Sequence, residues 1–227
     1  MSSNVPAKRD IKTLGLVLRR TNYGEVDRIL SVITPEGKMS VMAKGVRKAK
    51  SQLAGAVEIF TVSEYNIHFG RGKMGTLTGA KMLRHFSGLI RDLGRLELAS
   101  EFLKKVDRVA ENSDSSEYYG LLEQGLSGLN DGLNTELVEA WFLLNLGRAS
   151  GEEMNLYRDV AGEKLAADAS YEWDEMEEAF LRHAGGTYGA DEIKLMRLML
   201  TAKLEVIARV KCDEKTIRAV AKLTRVL

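Results

Sequence analysis

The 227 residues are 44% hydrophobic and 29% charged, ordinary values for a folded chain, which exclude a largely disordered one. A single cysteine, Cys212, excludes an intrachain disulfide and any multi-cysteine metal site. The net charge of +1 conceals a division: up to His85 fifteen Lys and Arg face six Asp and Glu, a net of +9, while the rest holds 18 basic and 26 acidic residues, a net of −8. A basic module for a polyanion joined to an acidic module with another task is the expectation. No run reaches the length of a membrane span, and the polar start MSSNVPAKRD lacks a signal peptide's apolar region, so a soluble cytoplasmic protein is expected.

From Ile11 to Phe86 the pattern is that of strands. Thr13–Leu18, Arg28–Thr34, Met39–Ala43, Ala56–Phe69 and Leu77–Phe86 are the candidates, with Arg20–Glu25 a turn-rich link between the first two. Pro35-Glu36-Gly37 is turn chemistry, since proline presets one corner and glycine accepts a positive φ at the next. Gly70–Gly75 reads as the tip of the last hairpin; it lacks a phosphate-loop frame and no helix start follows it. Five short strands in about eighty residues suggest a small barrel that closes its own edges, by analogy an OB-fold.

After Ser87 the spacing becomes helical. Leu89, Leu93, Leu96, Leu103, Val106 and Ala110 share one stripe. Asn112–Ser115 breaks it and offers caps for a second helix from Glu117 to about Leu129, and Asn134 or Thr135 caps a third that ends near Gly147. Trp173–His183 is expected as a helix stopped by Gly185–Gly189. Ile193–Val210 is expected as one apolar helix, and the tail from Asp213 as a last amphipathic one. The fold class is therefore α+β and multidomain, an N-terminal barrel over residues 1–86 followed by an all-α domain over residues 87–227.

Lys44, Arg47, Lys48 and Lys50 place four cations in seven residues with no acid among them. Such a loop repels itself unless an anion covers it, although a solvated basic loop is the alternative. Arg19, Arg20, Arg28, Lys38, Arg71 and Lys73 also fall near strand ends and loops, and with the loop they form the candidate nucleic-acid surface. Aromatic platforms for bases are few: Tyr23, Tyr65 and Phe69, the last two equally readable as barrel core. Lys215, Arg218, Lys222 and Arg225 share a face of the terminal helix, either a docking rim or a solvated face that complements the helix dipole. Catalytic groups are scarce. His68, His85 and His183 are scattered, and Asp174-Glu175-Glu177-Glu178 reads as a solvated acidic face rather than a divalent-ion site. No catalytic residue, cofactor or metal is expected.

As a series, Gly15–Arg19, Tyr23-Gly24-Glu25, Thr34–Lys38 and Ala43–Arg47 ending at Lys50-Ser51 resemble the N-terminal signature of the RecO recombination mediators. Arg95–Ser100, Leu143-Leu144 with Gly147, and Ile193–Leu198 resemble the helical half of that family. The resemblance implies an OB-fold and a helical domain, binding of single- and double-stranded DNA, ATP-independent annealing, and help in loading RecA onto strands coated by single-strand binding protein. It implies RecR and the C-terminal tail of single-strand binding protein as partners, RecA indirectly, and no membrane. By position, Lys44, Arg47, Lys48 and Lys50 inherit the family's basic loop. Many family members carry a four-cysteine zinc module after the third helix; the residues from Gly147 to Gly189 contain no cysteine, so packing and hydrogen bonds involving Asp159, Asp168, Trp173 and Asp174 are expected to hold that lobe. Two other classes fit the residues less well: an OB-fold RNA-binding protein and a magnesium-dependent nuclease.

Overall fold

The computed structural model describes residues 9–110 and 116–226. The expected caps at Asn112–Ser115 lie outside the described residues. Two compact units, residues 1–127 and 128–227, divide the chain.

In the first unit five strands, β1 (Arg9–Tyr23), β2 (Asp27–Thr34), β3 (Gly37–Ala43), β4 (Thr61–Phe69) and β5 (Gly75–His85), close a barrel in the order β1-β2-β3-β5-β4. β1 pairs antiparallel with both β2 and β4, and β3 meets β5 in parallel, the five-stranded topology of an OB-fold. Alternation puts Val17, Leu30, Val32, Val41, Tyr65, Ile67 and Leu77 into the core, each at most 5% exposed. Gly37 adopts φ +113 where the turn after Pro35 enters β3, the conformation its place after Pro35 predicts.

Two strand boundaries differ from expectation. Arg20–Tyr23 is strand rather than link, because pairing with β2 continues to Tyr23↔Asp27 and the turn is confined to Gly24–Val26. Ala56–Ile59 is not strand: a 3-10 turn covers Gly55–Val57, and the Ala56 carbonyl accepts hydrogen bonds from Ser63 Oγ and Tyr65 Oη, both at 2.8 Å. Two hydroxyls of β4 thus hold the chain folded back on its own strand.

After a 3-10 turn at Leu89–Arg91, α1 (Leu93–Val109) starts where Asp92 accepts the Arg95 amide at 3.1 Å. Its apolar stripe of Ala99, Phe102, Leu103 and Val106 is buried, and the helix packs on β1. α2 (Glu117–Asn130) crosses the division between the units.

In the second unit α3 (Thr135–Ser150) is capped by Asn134, which accepts the Leu137 amide at 2.9 Å. The expected helix at Trp173–His183 is instead a hairpin of β6 (Tyr171–Asp174) and β7 (Ala179–Arg182). Asp174 Oδ1 takes the amides of Met176 and Glu177 at 2.9 and 3.1 Å and so nucleates the turn, and Glu178 completes it at φ +48. Phe180 lies fully buried with edge contacts to Tyr171, Trp173 and Tyr188, at centroid distances of 6.2, 5.2 and 5.7 Å. Asp159 Oδ1 ties a second turn through the amides of Ala161 and Glu163. Aromatic packing and two such turns hold this lobe; its residues cannot furnish a four-cysteine zinc module.

The long helix expected over Ile193–Val210 is divided into α4 (Ala190–Thr201) and α5 (Leu204–Ile207). Side chains of α3 cause the break by taking carbonyls at its end: Asn145 Nδ2 donates to Met199, Arg148 to Leu200 and Trp141 Nε1 to Ala202. α6 (Glu214–Thr224) is capped by Asp213, which accepts the Thr216 amide at 2.7 Å. No helix among the described residues is long and apolar enough to cross a membrane.

Candidate nucleic-acid interface

The loop that follows β3 turns at Gly45, φ +64, directly under the Lys48 stem. Three anchors fix it to the barrel. Val46 is 2% exposed and belongs to the core, the Gly45 amide donates to Asp27 Oδ1 at 2.6 Å, and the Arg47 amide donates to the Val26 carbonyl at 2.9 Å. With Val46 turned inward, Lys44, Arg47, Lys48 and Lys50 are all exposed, and among the described residues none has a carboxylate partner. Arg47 Nη1 donates to the Gly24 carbonyl at 3.3 Å, so the cations of this loop adjoin the β1–β2 turn. On an OB-fold the β1–β2 and β4–β5 loops flank the ligand face.

The other barrel cations divide into two kinds. Arg71 and Lys73 are exposed in the β4–β5 loop. Arg20 and Arg28 converge on one carboxylate, Glu58, with Arg28 Nη1 at 3.5 Å. Arg19 and Lys38 converge on Asp107 of α1, at 3.0 and 2.7 Å, where the Ser31 hydroxyl also donates at 2.7 Å. Burial alone would raise the Asp107 carboxyl, but hydrogen bonds from Lys38, Ser31 and Arg19 outweigh it and hold the group below the usual carboxylate range. Lys38, with a side chain only 13% exposed, also donates to the Asp107 carbonyl at 2.5 Å. It fastens α1 to the barrel instead of standing open to a ligand, a role that only the fold discloses.

The three aromatic candidates also separate. Tyr65 is core, 1% exposed, and burial pushes its hydroxyl up to about 12 despite the Ser63 hydrogen bond. No base can reach it. Tyr23 is 55% exposed at the end of β1, and Phe69 is half-buried at the end of β4.

On α6, Arg225 makes two bonds to Glu139 of α3, at 3.0 and 2.6 Å, and Arg218 reaches Glu136 at 3.7 Å and Glu214 at 3.2 Å. The expected rim therefore serves partly to dock α6 on α3, leaving Lys215 and Lys222 exposed without a carboxylate partner among the described residues. Burial, then the Asp213, Glu192 and Asp191 carboxylates, push the Cys212 thiol up, away from the thiolate a nucleophile needs. Among the described residues no three His, Cys, Asp or Glu are grouped to hold a metal ion.

The family description "Recombination protein O N terminal" matches residues 9–86, and "Recombination protein O C terminal" matches residues 82–227. A protein of Roseiflexus sp. (strain RS-1) named DNA repair protein RecO is 32% identical over 163 residues, 71% of this chain and 57% of its own length. Proteins of the same name from Listeria monocytogenes serotype 4b and Dehalococcoides mccartyi are 31% and 32% identical, over 60% and 71% of this chain and 53% and 65% of theirs. The chain thus matches about half to two thirds of the length of these relatives.

Proposed function

Because this chain belongs to the RecO family of recombination proteins, we propose that it serves DNA repair by holding DNA strands together rather than by chemistry of its own. Four uncompensated cations on one anchored loop of an OB-barrel carry this reading. Contact is with phosphates, so binding extends to single and double strands with little sequence preference. Two complementary strands repel along their backbones; cations fixed against both lower that repulsion and let bases pair. The N-terminal domain, residues 1–86, takes this task. Residues 87–227 bind protein partners, RecR and the tail of single-strand binding protein, and through them help load RecA.

Annealing of complementary oligonucleotides, followed by fluorescence, tests this directly. Arg47→Glu with Lys48→Glu abolishes annealing and leaves the thermal melt nearly unchanged, since both side chains are exposed and carry no ion pair among the described residues. Unaltered annealing removes the loop from the mechanism.

A further inference from the structure

β3 pairs with β5 only at Val41↔Gly75 and Met42↔Thr76. Before that point β3 has no strand partner on this side among the described residues, and the barrel mouth opens between Met39-Ser40 and the β4–β5 loop into a cavity of about 490 Å³. That volume lies within the range of small-ligand sites, which favour barrel mouths. Phe69 forms part of its wall, Met39 and Met74 supply apolar surface, Ser40 supplies a hydroxyl, and Arg9, Lys38 and Lys73 supply charge, of which Lys38 is already paired with Asp107. Phe69 and Arg9 face each other in register on β4 and β1, and the Arg9 guanidinium lies 5.6 Å from the ring centroid. Gly75 packs beneath the ring: a Cβ there would lie 2.4 Å from Ile67 Cγ2, which would have to shift, and 3.1 Å from Phe69 Cζ, which would have to give by a few tenths of an ångström. Asp10, the nearest acid in the strand, alternates to the opposite face, where His68 Nδ1 meets it at 2.7 Å. Arg9 and Lys73 have no carboxylate partner among the described residues, unlike Arg19, Arg20, Arg28 and Lys38.

Resting on the DNA-binding reading above, we infer that this mouth is a nucleobase subsite in which Phe69 stacks one unpaired base while Arg9 and Lys73 hold the phosphates beside it. A π-face, a pair of flexible thioethers and two uncommitted cations match the base and phosphate of a nucleotide. The guanidinium that covers the ring in the free protein marks the face a base takes, and once displaced it is free for the phosphate of the same nucleotide. The site takes single strands only, because a base inside a duplex offers no face to the ring. It therefore adds discrimination to a loop that attracts any polyanion.

The test compares oligo-dT with an abasic deoxyribose-phosphate chain of equal length, using the full chain and fluorescence anisotropy. Phe69→Leu is expected to weaken oligo-dT binding about tenfold and to leave the abasic chain's affinity unchanged. Phe69→Trp, which keeps a stacking face, is expected to retain wild-type affinity and to show emission quenched by oligo-dT but not by the abasic chain. Equal loss on both probes, or oligo-dT affinity indifferent to Phe69→Leu, overturns the subsite and leaves the basic loop standing. A wild-type protein that binds neither probe overturns the DNA-binding reading and the subsite with it.

Discussion

Replacing Arg47 and Lys48 together by alanine removes two of the four uncompensated cations of the β3 loop, and the consequence for salt dependence follows from counting charges. Each cation that displaces counterions from a single strand adds about −0.7 to the slope of log K against log salt, so the four together account for about −2.8. Between 50 and 200 mM salt that share weakens binding about 50-fold, and with two cations left about sevenfold. The double variant therefore flattens the measured slope by about 1.4. Arg20→Ala is the internal control: Glu58 already sits against Arg20 and Arg28, so its removal flattens the slope by less than the about 0.7 of a free cation. Fluorescence anisotropy of a labelled oligonucleotide titrated at five salt concentrations gives all three slopes. A double variant with the wild-type slope, or an Arg20 variant that flattens it as much per residue, refutes the division into compensated and uncompensated cations.

Two further outcomes concern stability. Asp107→Ala strands Lys38 and the buried Ser31 hydroxyl and costs about 2 to 3 kcal/mol, read as a lower urea midpoint at pH 7. The folded Asp107 carboxyl lies below its unfolded value of about 3.9, so its contribution is complete above that pH and is lost as pH falls through the folded pKa; the gap between wild type and Asp107→Asn closes on acidification below the unfolded value. Phe180→Ala, which removes the centre of the Tyr171, Trp173 and Tyr188 cluster, costs about 3 to 5 kcal/mol and opens residues 152–189 to proteolysis. A chelator leaves the wild-type melt unchanged, and a fall in melting temperature on chelation would show a metal supporting the lobe.

Features set by neighbouring residues were legible in the sequence. Gly37 after Pro35 marked the turn, short apolar runs marked β2 and β3, and Asn134 and Asp213 stood where helix caps belong. The exposed basic loop was legible too, because four cations without an acid form a local pattern. Features set by distant residues were not. Asp107 lies 88 positions from Arg19 and 69 from Lys38, and a lone acid on a helix announces no partner. The end of α4 depends on three donors from α3, so the apolar run over Ile193–Val210 carries no sign of it. The β6–β7 hairpin was hidden by its size: four-residue strands are too short for alternation to outweigh the helix-forming residues Glu175–Glu178 between them.

The inward-turned Val46 has a kinetic consequence. A dangling basic segment would have to be ordered each time a strand arrived, losing conformational freedom on every encounter. Here that freedom is surrendered once, when the valine enters the core during folding, and the lysines on either side stand on backbone that no longer wanders. On the proposed function, a strand leaving this surface and another replacing it would meet the same arrangement of charge, which is what repeated capture and release of two partners at one place requires.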